Sequence, residues 1–396
     1  MPPSPIFFSH QHGGADGLGL APWDFSTNSN AYGPCPAALE QVRQADACHY
    51  PDPHYHVLRE ALADWHGVAR ERVLLGASSS ELIHRIHLWA RLQGIATVCI
   101  PQPAYGDYAQ QAQAMGLQVR WRSLQTGGAH APTSAGDVTD DGGLHWACSP
   151  CSPLGWPDPI LPHWQQAGAA AQAGALRRFL DAAYAPLALT QPGEPPTDWL
   201  ASARQRPYWQ LFSPNKSLGL TGVRAAYAIA PPLTAANAPA WKAMQQALLA
   251  LAPSWPIGAH GVALLHAWTD RGIQAWLAQT RLQLAQLKQR QIALCTSLGW
   301  QVLPGSQTPY FAARPLPHVW QACVQGQIRP EQAQALFSQA LAHLRQAGVK
   351  LRDTASMGLP LHVRVSAQLP AAQEALAHAW HRLPARLREG GQGFTG

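Results

Sequence analysis

Charged residues are scarce in this 396-residue chain: they make up 13% of it, against 47% apolar residues. That balance excludes a disordered protein and predicts a sizeable core. The net charge of +6 is modest, and no dense run of Lys and Arg with interleaved aromatics occurs, so we expect no nucleic-acid partner. No segment reaches transmembrane length, and residues 1–14 lack the basic and apolar regions of a signal peptide. We therefore expect no membrane association and a cytoplasmic location.

Cysteine is also sparse, with seven residues spread over the chain. An odd number at such spacing predicts reduced thiols and not a disulfide framework. Cys148 and Cys151 have Cys-x-x-Cys spacing, but no second pair completes a zinc site. We expect neither a metal site nor a redox function.

Helix-like and strand-like segments alternate along the chain after an irregular arm, residues 1–35, that is rich in Gly, Pro, Asn and Ser. This alternation predicts an α/β fold with a mainly parallel sheet and helices on both faces. We expect a large domain over 36–257, a smaller α+β C-terminal domain over 258–388 and a flexible tail over 389–396. A polar, Gly-rich segment, 126–141, is predicted to be a surface excursion. The predicted strands are 97–100, 144–148, 178–181, 209–212, 225–229, 310–313 and 362–365. The predicted helices are 37–45, 57–66, 80–93, 107–115, 161–175 and 258–298.

One lysine stands in a setting that suits an amine nucleophile. Lys216 lies among small and hydroxylated residues in the run 213–224, which ends at Arg224 before an apolar strand-like segment. Hydroxyls and an arginine suit a dianionic phosphate, and a tightly held lysine can form a Schiff base with the aldehyde of pyridoxal phosphate. Upstream, another predicted strand ends in Asp181, with Tyr184 just beyond it, and an aspartate that pairs with the ring nitrogen is the other half of that chemistry. A surface loop is the ordinary explanation of an isolated lysine, whereas the ordered pairing with Asp181 and Tyr184 favours the cofactor.

Serines open a predicted helix at the end of an apolar run. The run 73–75 leads into Gly76-Ala77-Ser78-Ser79-Ser80, where free backbone N–H groups and hydroxyls can hold a phosphate. A plain serine N-cap is the alternative, and the residues alone leave both open.

Taken in order, these motifs resemble those of a fold-type I pyridoxal-phosphate enzyme of the class I/II aminotransferase family. The resemblance covers nearly all of residues 10–385 and implies the type I transferase fold with a seven-stranded, mainly parallel sheet. Three motifs most resemble the cobalamin-pathway threonine-phosphate decarboxylase, in the branch that also holds histidinol-phosphate aminotransferase. They are His12-Gly13-Gly14, Phe25-Ser26-Thr27-Asn28-Ser29-Asn30 and Tyr50-Pro51-Asp52.

The resemblance also implies which residues form the site. The catalytic residues would be Lys216, Asp181 and Tyr184. The cofactor would also be held by Ser78, Ser79, Tyr105, Ser152, Ser213, Arg224 and, from the partner subunit of a homodimer with shared active sites, Tyr50. The substrate would be bound by His12, Asn30, Arg352 and Arg364.

Each implied role follows a chemical need. Lys216 would form the Schiff base, Asp181 would keep the ring nitrogen protonated and Tyr184 would hydrogen-bond the ring hydroxyl. Tyr105 would stack on the ring, and serines with Arg224 would hold the phosphate. Arginines suit the substrate's acidic groups because a planar guanidinium pairs bidentately with carboxylate or phosphate.

The chain departs from the family at one position. Where the family has Pro-Asn-Asn-Pro-Thr-Gly, this sequence has Pro150-Cys151-Ser152-Pro153-Leu154-Gly155, so Ser152 replaces the asparagine that bonds the ring hydroxyl. Serine has a shorter reach, and a water can bridge the gap. A weaker contact would alter the electronics of the ring and the choice of reaction.

Three of the substrate residues have ordinary explanations too. Arg352 precedes Asp353 and could form a local ion pair, while His12 could bind a phosphate or cap the arm. Arg364 lies in an alternating apolar strand, where an unpaired charge is costly, and this favours a functional role.

The resemblance implies a lyase that removes the carboxylate of L-threonine O-3-phosphate, a small phosphorylated amino acid, in cobalamin biosynthesis. One alternative is an aminotransferase that acts on histidinol phosphate or a related amino acid. Another is a catalytically weak homologue that only binds a ligand or partner.

Overall fold

The computed structural model describes residues 12–124, 142–166, 174–189, 204–235 and 237–388. Three predictions fall outside these ranges, wholly or in part: the excursion at 126–141, the second half of the helix predicted at 161–175 and the tail at 389–396. The beginning of the N-terminal arm, residues 1–11, lies outside them as well.

A seven-stranded sheet forms the centre of the fold, as the resemblance implied. Its strands are β2 Val73–Gly76, β3 Thr97–Gln102, β4 Gln118–Ser123, β5 Leu144–Cys148, β6 Arg178–Asp181, β7 Trp209–Phe212 and β8 Ala226–Ile229. They are arranged in the order β2-β8-β7-β6-β5-β3-β4. Neighbouring strands pair in parallel, except that β8 is antiparallel to both β7 and β2. The prediction of a mainly parallel sheet in an α/β fold is therefore confirmed.

Strand β4 was not predicted. It lies at the edge of the sheet, beside β3 alone, and most of its residues are exposed or half-buried. Its sequence, Gln-Val-Arg-Trp-Arg-Ser, lacks the continuous apolar run of a strand that is buried on both faces. The polar residues on the exposed face of this edge strand therefore interrupt the apolar pattern by which strands are predicted.

Helices cover both faces of this sheet. On one face, α1 Pro36–Arg43, α2 His56–His66 and α7 Ala259–Trp268 pack against the sheet, and on the other α3 Ser79–Leu92, α4 Gly106–Ala114 and α6 Ala238–Ala250 do so. Alternate strand residues face the two cores, so Phe179 packs in one and Leu180 in the other. A short helix, α5 Leu161–Gln166, begins at the predicted residue.

The prediction of a single long helix over 258–298 is wrong because the helical stretch is divided in two. The chain instead forms α7 and then α8 Arg271–Ser297, with a break at Thr269 and Asp270. The Asp270 side chain accepts a hydrogen bond from the Ile273 N–H at 3.0 Å and thereby caps α8. Aspartate competes with the helical backbone in this way, so the break has a local signal in the sequence.

A second, smaller sheet follows. Its strands β9 Gln301–Val302, β10 Tyr310–Arg314, β12 Arg352–Asp353 and β13 Val363–Ser366 are antiparallel in the order β12-β13-β10-β9. The helices of this region are α9 Pro317–Val324, α10 Pro330–Gln346, α11 Pro370–His381 and α12 Ala385–Arg388. The N-terminal arm joins it through a parallel pair formed by β1 Trp23–Asp24 and β11 Val349–Lys350.

The predicted domain boundary at residues 257 and 258 stays a prediction. Helix α7, just beyond it, packs in the core of the large sheet, while α8 contributes side chains to the cores of both sheets. No helix among the described residues is both long and apolar enough to cross a membrane.

Candidate active site

A cavity of about 490 Å³ lies at the carboxyl ends of β5, β6 and β7, where the large sheet faces the arginines of the smaller sheet. Parallel strands bring the residues at their carboxyl ends together at one edge, which is where ligands bind in open α/β sheets. Most of the predicted site residues line this cavity: His12, Ser79, Tyr105, Ser152, Asp181, Tyr184, Ser213, Lys216, Arg224, Arg352 and Arg364. Ser78, Asn30 and Tyr50 do not line it.

Asp181 is the last residue of β6 and is almost fully buried. Its carboxylate accepts a hydrogen bond from the Tyr108 hydroxyl at 2.7 Å and another from the Ala183 N–H at 2.9 Å. Burial raises the pKa of Asp181 above its usual value, while these two donors and Lys216 favour the ionised form. A carboxylate in such a place is suited to a ligand group that carries a positive charge or a proton.

Lys216 is held by the loop that follows β7. The Asn215 side-chain oxygen accepts hydrogen bonds from the Lys216 N–H at 3.0 Å and from the Ser213 hydroxyl at 2.8 Å. The Lys216 ammonium lies 5.1 Å from the centre of the Tyr184 ring. Gly219 has φ +70°, and a Cβ there would come within 2.6 Å of Gly33 Cα. The loop therefore packs directly on the N-terminal arm, which only glycines allow.

Asn30 fixes this loop and does not reach the cavity. Its side-chain amide donates to the Ser217 carbonyl at 3.2 Å and to the Thr280 hydroxyl at 3.0 Å, and its backbone N–H donates to the Lys216 carbonyl at 2.9 Å. Asn30, which was predicted to bind the substrate, therefore lies behind Lys216, and its side-chain amide is already hydrogen-bonded.

Asn28, two residues earlier, lines the cavity instead. Its amide donates to the Tyr184 hydroxyl at 3.1 Å, and its buried Oδ1 has no hydrogen-bond partner. Within the motif Phe25–Asn30, Asn30 was predicted to bind the substrate, whereas the asparagine that lines the cavity is Asn28. Both asparagines are equally polar, and only the turn of the arm decides which one faces the cavity.

The sequence left open whether the serines at the N-terminus of α3 cap the helix or are available to a ligand. In the structure, one serine caps the helix and another lines the cavity. The Ser78 hydroxyl accepts a hydrogen bond from the Glu81 N–H at 3.0 Å, so it is the N-cap. The Ser79 hydroxyl is buried without a partner and lines the cavity. Ser80, which was not predicted, also lines it and lies 3.3 Å from the Tyr105 hydroxyl.

Arg364 of β13 is buried and touches two other parts of the chain. Nη1 donates to the Ser152 hydroxyl and Nη2 to the Ser26 carbonyl, both at 2.8 Å, while the buried Nε has no partner. Ser152, which stands where the family has asparagine, is thus bonded to an arginine that was predicted to bind the substrate.

Arg352 lies directly opposite Arg364 in the β12–β13 pair. Burial, and to a lesser degree Arg364, lowers the pKa of Arg352 to about 10. One of its N–H groups donates to the Ser356 hydroxyl at 3.0 Å. Like charges that face each other across a strand pair destabilise a sheet, so this pair indicates a place for anionic groups.

The His12-Gly13-Gly14 motif lies against the chain at Ser26. A Cβ on Gly13 would come within 2.3 Å of the Ser26 carbonyl oxygen. The Gly14 N–H donates to the Ser26 hydroxyl at 3.0 Å, and Gly14 has φ +91°. Both glycines are needed for the arm to approach so closely. His12 lines the cavity, its ring centre 6.2 Å from that of Tyr105.

Tyr50 lies on the outer surface of the described chain. Its side chain is 78% exposed and stacks on Trp255 with ring centres 4.3 Å apart. Its predicted contact with a partner's cofactor stays a prediction.

The residues of the cavity fit the cofactor that the resemblance implies. An amine, a buried carboxylate and a phenol are provided by Lys216, Asp181 and Tyr184. The unpartnered hydroxyl of Ser79 lies at the N-terminus of α3, and Arg224 supplies a cation. This set matches an aldehyde, a ring nitrogen, a ring hydroxyl and a phosphate.

Comparison with known families and sequences gives consistent results. The model of the family "Aminotransferase class I and II" matches residues 22–382. The histidinol-phosphate aminotransferase of Anoxybacillus flavithermus is 31% identical over 33% of this chain. A Caldanaerobacter subterraneus protein provisionally named threonine-phosphate decarboxylase is 36% identical over 25% of the chain. These matches span only 35% and 26% of the relatives' own lengths. A histidinol-phosphate aminotransferase of Burkholderia mallei is 27% identical over 75% of this chain and 79% of its own.

Solved structures share the fold. The histidinol-phosphate aminotransferase of Sinorhizobium meliloti, in complex with pyridoxal 5'-phosphate, has a TM-score of 0.67 at 20% identity, covering 90% of both chains. The L-threonine-O-3-phosphate decarboxylase of Porphyromonas gingivalis has a TM-score of 0.65 at 18% identity, covering 90% of this chain and 98% of its own.

The close approach at Gly13 generates a prediction. In a Gly13→Ala variant the arm should move away from Ser26, and the loss of a hydrogen bond worth about 1 kcal/mol should speed amide exchange at Gly14 about fivefold. Hydrogen exchange followed by mass spectrometry measures this. Gly17→Ala is the matched control because a Cβ there meets nothing within 4 Å. Equal exchange in the two variants would show that the arm does not depend on Gly13.

Proposed function

Because this chain belongs to the aminotransferase class I and II family, we propose that it is a pyridoxal-phosphate-dependent decarboxylase. Its substrate is L-threonine O-3-phosphate, its product is (R)-1-amino-2-propanol O-2-phosphate, and its pathway is cobalamin biosynthesis. The observation that carries the choice of substrate is the pair of buried arginines, Arg352 and Arg364, that face each other in the cavity. Two fixed cations suit a substrate with two acidic groups, and threonine phosphate has both a carboxylate and a phosphate.

Residues from four segments would hold pyridoxal phosphate. When bound, it supplies an electrophilic aldehyde and an electron-withdrawing ring. Lys216 provides the amine for the aldehyde, Asp181 holds a proton at the ring nitrogen, and Tyr184 with Asn28 meets the ring hydroxyl. Arg224, Ser213 and the unpartnered hydroxyl of Ser79 bind the phosphate.

The remaining residues orient the substrate and move a proton. Arg364 lines the cavity and is anchored by Ser26 and Ser152, so its guanidinium is held in place for an acidic group of the substrate. His12 of the N-terminal arm also lines the cavity. Loss of CO₂ leaves Cα in need of a proton, and the Lys216 amine is the group suited to deliver it.

An aminotransferase is the second candidate, favoured by the matches to histidinol-phosphate aminotransferases. Histidinol phosphate itself has one acidic group, the phosphate, and so leaves one of the two arginines without a partner. The acceptor 2-oxoglutarate has two carboxylates, however, and would engage both.

The reaction separates these candidates. Threonine phosphate should release CO₂ without any keto acid, and a Lys216→Ala variant should release none. An aminotransferase would instead need 2-oxoglutarate for turnover, because its amino donor leaves the cofactor in the amine form. The proposed decarboxylase would be contradicted if histidinol phosphate is turned over with strict dependence on 2-oxoglutarate and threonine phosphate is not turned over. A protein that shows no cofactor absorbance after pyridoxal phosphate is added would be a non-catalytic homologue.

The proposal includes a cytoplasmic homodimer in which Tyr50 of each subunit completes its partner's phosphate site. Tyr50 and Trp255 form an exposed aromatic pair that suits a subunit contact. All seven cysteines are thiols and none forms a disulfide, which suits a reducing compartment.

Hybrid dimers test the shared site. When Tyr50→Phe and Lys216→Ala chains are mixed and reassociated, half of the dimers should be hybrids with one unimpaired site. CO₂ release should therefore recover to about a quarter of the wild-type rate. Recovery no higher than half the residual activity of the Tyr50→Phe variant would mean that Tyr50 and Lys216 serve the same chain's site.

A further inference from the structure

A second cavity, of about 460 Å³, lies between the C-terminal half of α8, the segment 301–306 and β10. It shares no lining residue with the candidate active site. Its size falls within the usual range for small-molecule sites. Its walls are largely apolar, formed in part by Ile292, Leu303 and Phe311.

One wall of this cavity carries a buried cation. The Lys288 side chain projects from α8, is 8% exposed, and donates a hydrogen bond from its ammonium to the Ser306 carbonyl. Among the residues that the structure describes, no carboxylate lies within ion-pair distance of Lys288. Burial lowers the pKa of Lys288 to about 8, so the amine is still mostly charged at neutral pH. A buried charge without a counter-ion is costly, and an anion beside it would offset that cost.

Trp300 provides an independent sign that an acceptor is missing. This residue lines the same cavity, is 3% exposed, and its buried indole N–H has no hydrogen-bond partner among the described residues. Buried indole N–H groups usually find an acceptor. The cavity is therefore lined by two residues with donors in excess of acceptors, one charged and one neutral.

We propose that this cavity binds a small monocarboxylate with an apolar body, whose carboxylate pairs with Lys288. A carboxylate fits better than a phosphate because Lys288 is a single point charge, whereas phosphate sites combine several donors or a guanidinium fork. The apolar body packs against Ile292, Leu303 and Phe311. The site is separate from catalysis at Lys216, so its occupancy can be measured whatever reaction the enzyme performs.

The chain has four lysines, Lys216, Lys242, Lys288 and Lys350, which makes a direct measurement practical. The holoenzyme is labelled with [ε-¹³C]lysine, and the four signals are assigned with single Lys→Arg variants. Isobutyrate should shift the Lys288 signal in a saturable way. Isobutyramide, its neutral isostere, should not, and formate should bind about tenfold more weakly because it has no apolar body to bury. Isobutyrate bound at Arg352 and Arg364 would leave the Lys288 signal unchanged.

A variant that fills the cavity gives the matched test. Leu303→Trp should abolish the isobutyrate shift while the Lys288 signal remains visible. Leu282→Trp is the control, because Leu282 lies on the same helix, α8, and is 70% exposed. The proposal is overturned if isobutyrate gives no saturable shift at Lys288, if isobutyramide shifts it equally, or if Leu303→Trp leaves the shift intact.

Discussion

The site depends on one buried guanidinium. Arg364 belongs to the smaller sheet, yet it donates to Ser152 in the loop after β5 and to Ser26 in the N-terminal arm. Three segments that are distant in sequence thus meet at a single cation. Such a charge is costly to bury unless its N–H groups are satisfied, and the buried Nε–H has no partner among the described residues. We propose that an acidic group of the substrate adds to these contacts, so that its binding would also hold the arm, the loop and the smaller sheet together.

The sequence indicated most of the large sheet because its central strands are buried on both faces. Strands β5, β6 and β7 are buried along their whole length and are rich in aromatic and aliphatic residues, and they begin and end at the predicted residues. Strand β4 was not predicted because an edge strand carries polar residues on its exposed side. The break between α7 and α8 was not predicted because the apolar periodicity continues across Asp270. The chain nevertheless breaks there, since the Asp270 side chain caps α8.

The sequence indicated which residues line the cavity where order along the chain decides their position, and it did not where packing decides it. Lys216 and Asp181 follow strands whose carboxyl ends meet at one edge, so order along the chain was enough to bring them together. Ser78 and Asn30 have the right chemistry, but local hydrogen bonds already occupy their side chains. Asn28 lines the cavity only because of how the arm turns, and no periodic pattern in the sequence reports that turn.

The proposed function requires that Arg364 binds an acidic group of the substrate. The most direct measurement is kcat/KM of the Arg364→Ala variant with L-threonine O-3-phosphate, with Arg364→Lys as a partial replacement. Loss of a buried charge-paired contact costs about 2–5 kcal/mol, so the efficiency should fall by roughly 30-fold or more, with Arg364→Lys between the variant and the wild type. Less than about a threefold loss, in a variant that keeps its pyridoxal phosphate content and its circular dichroism, would contradict the claim.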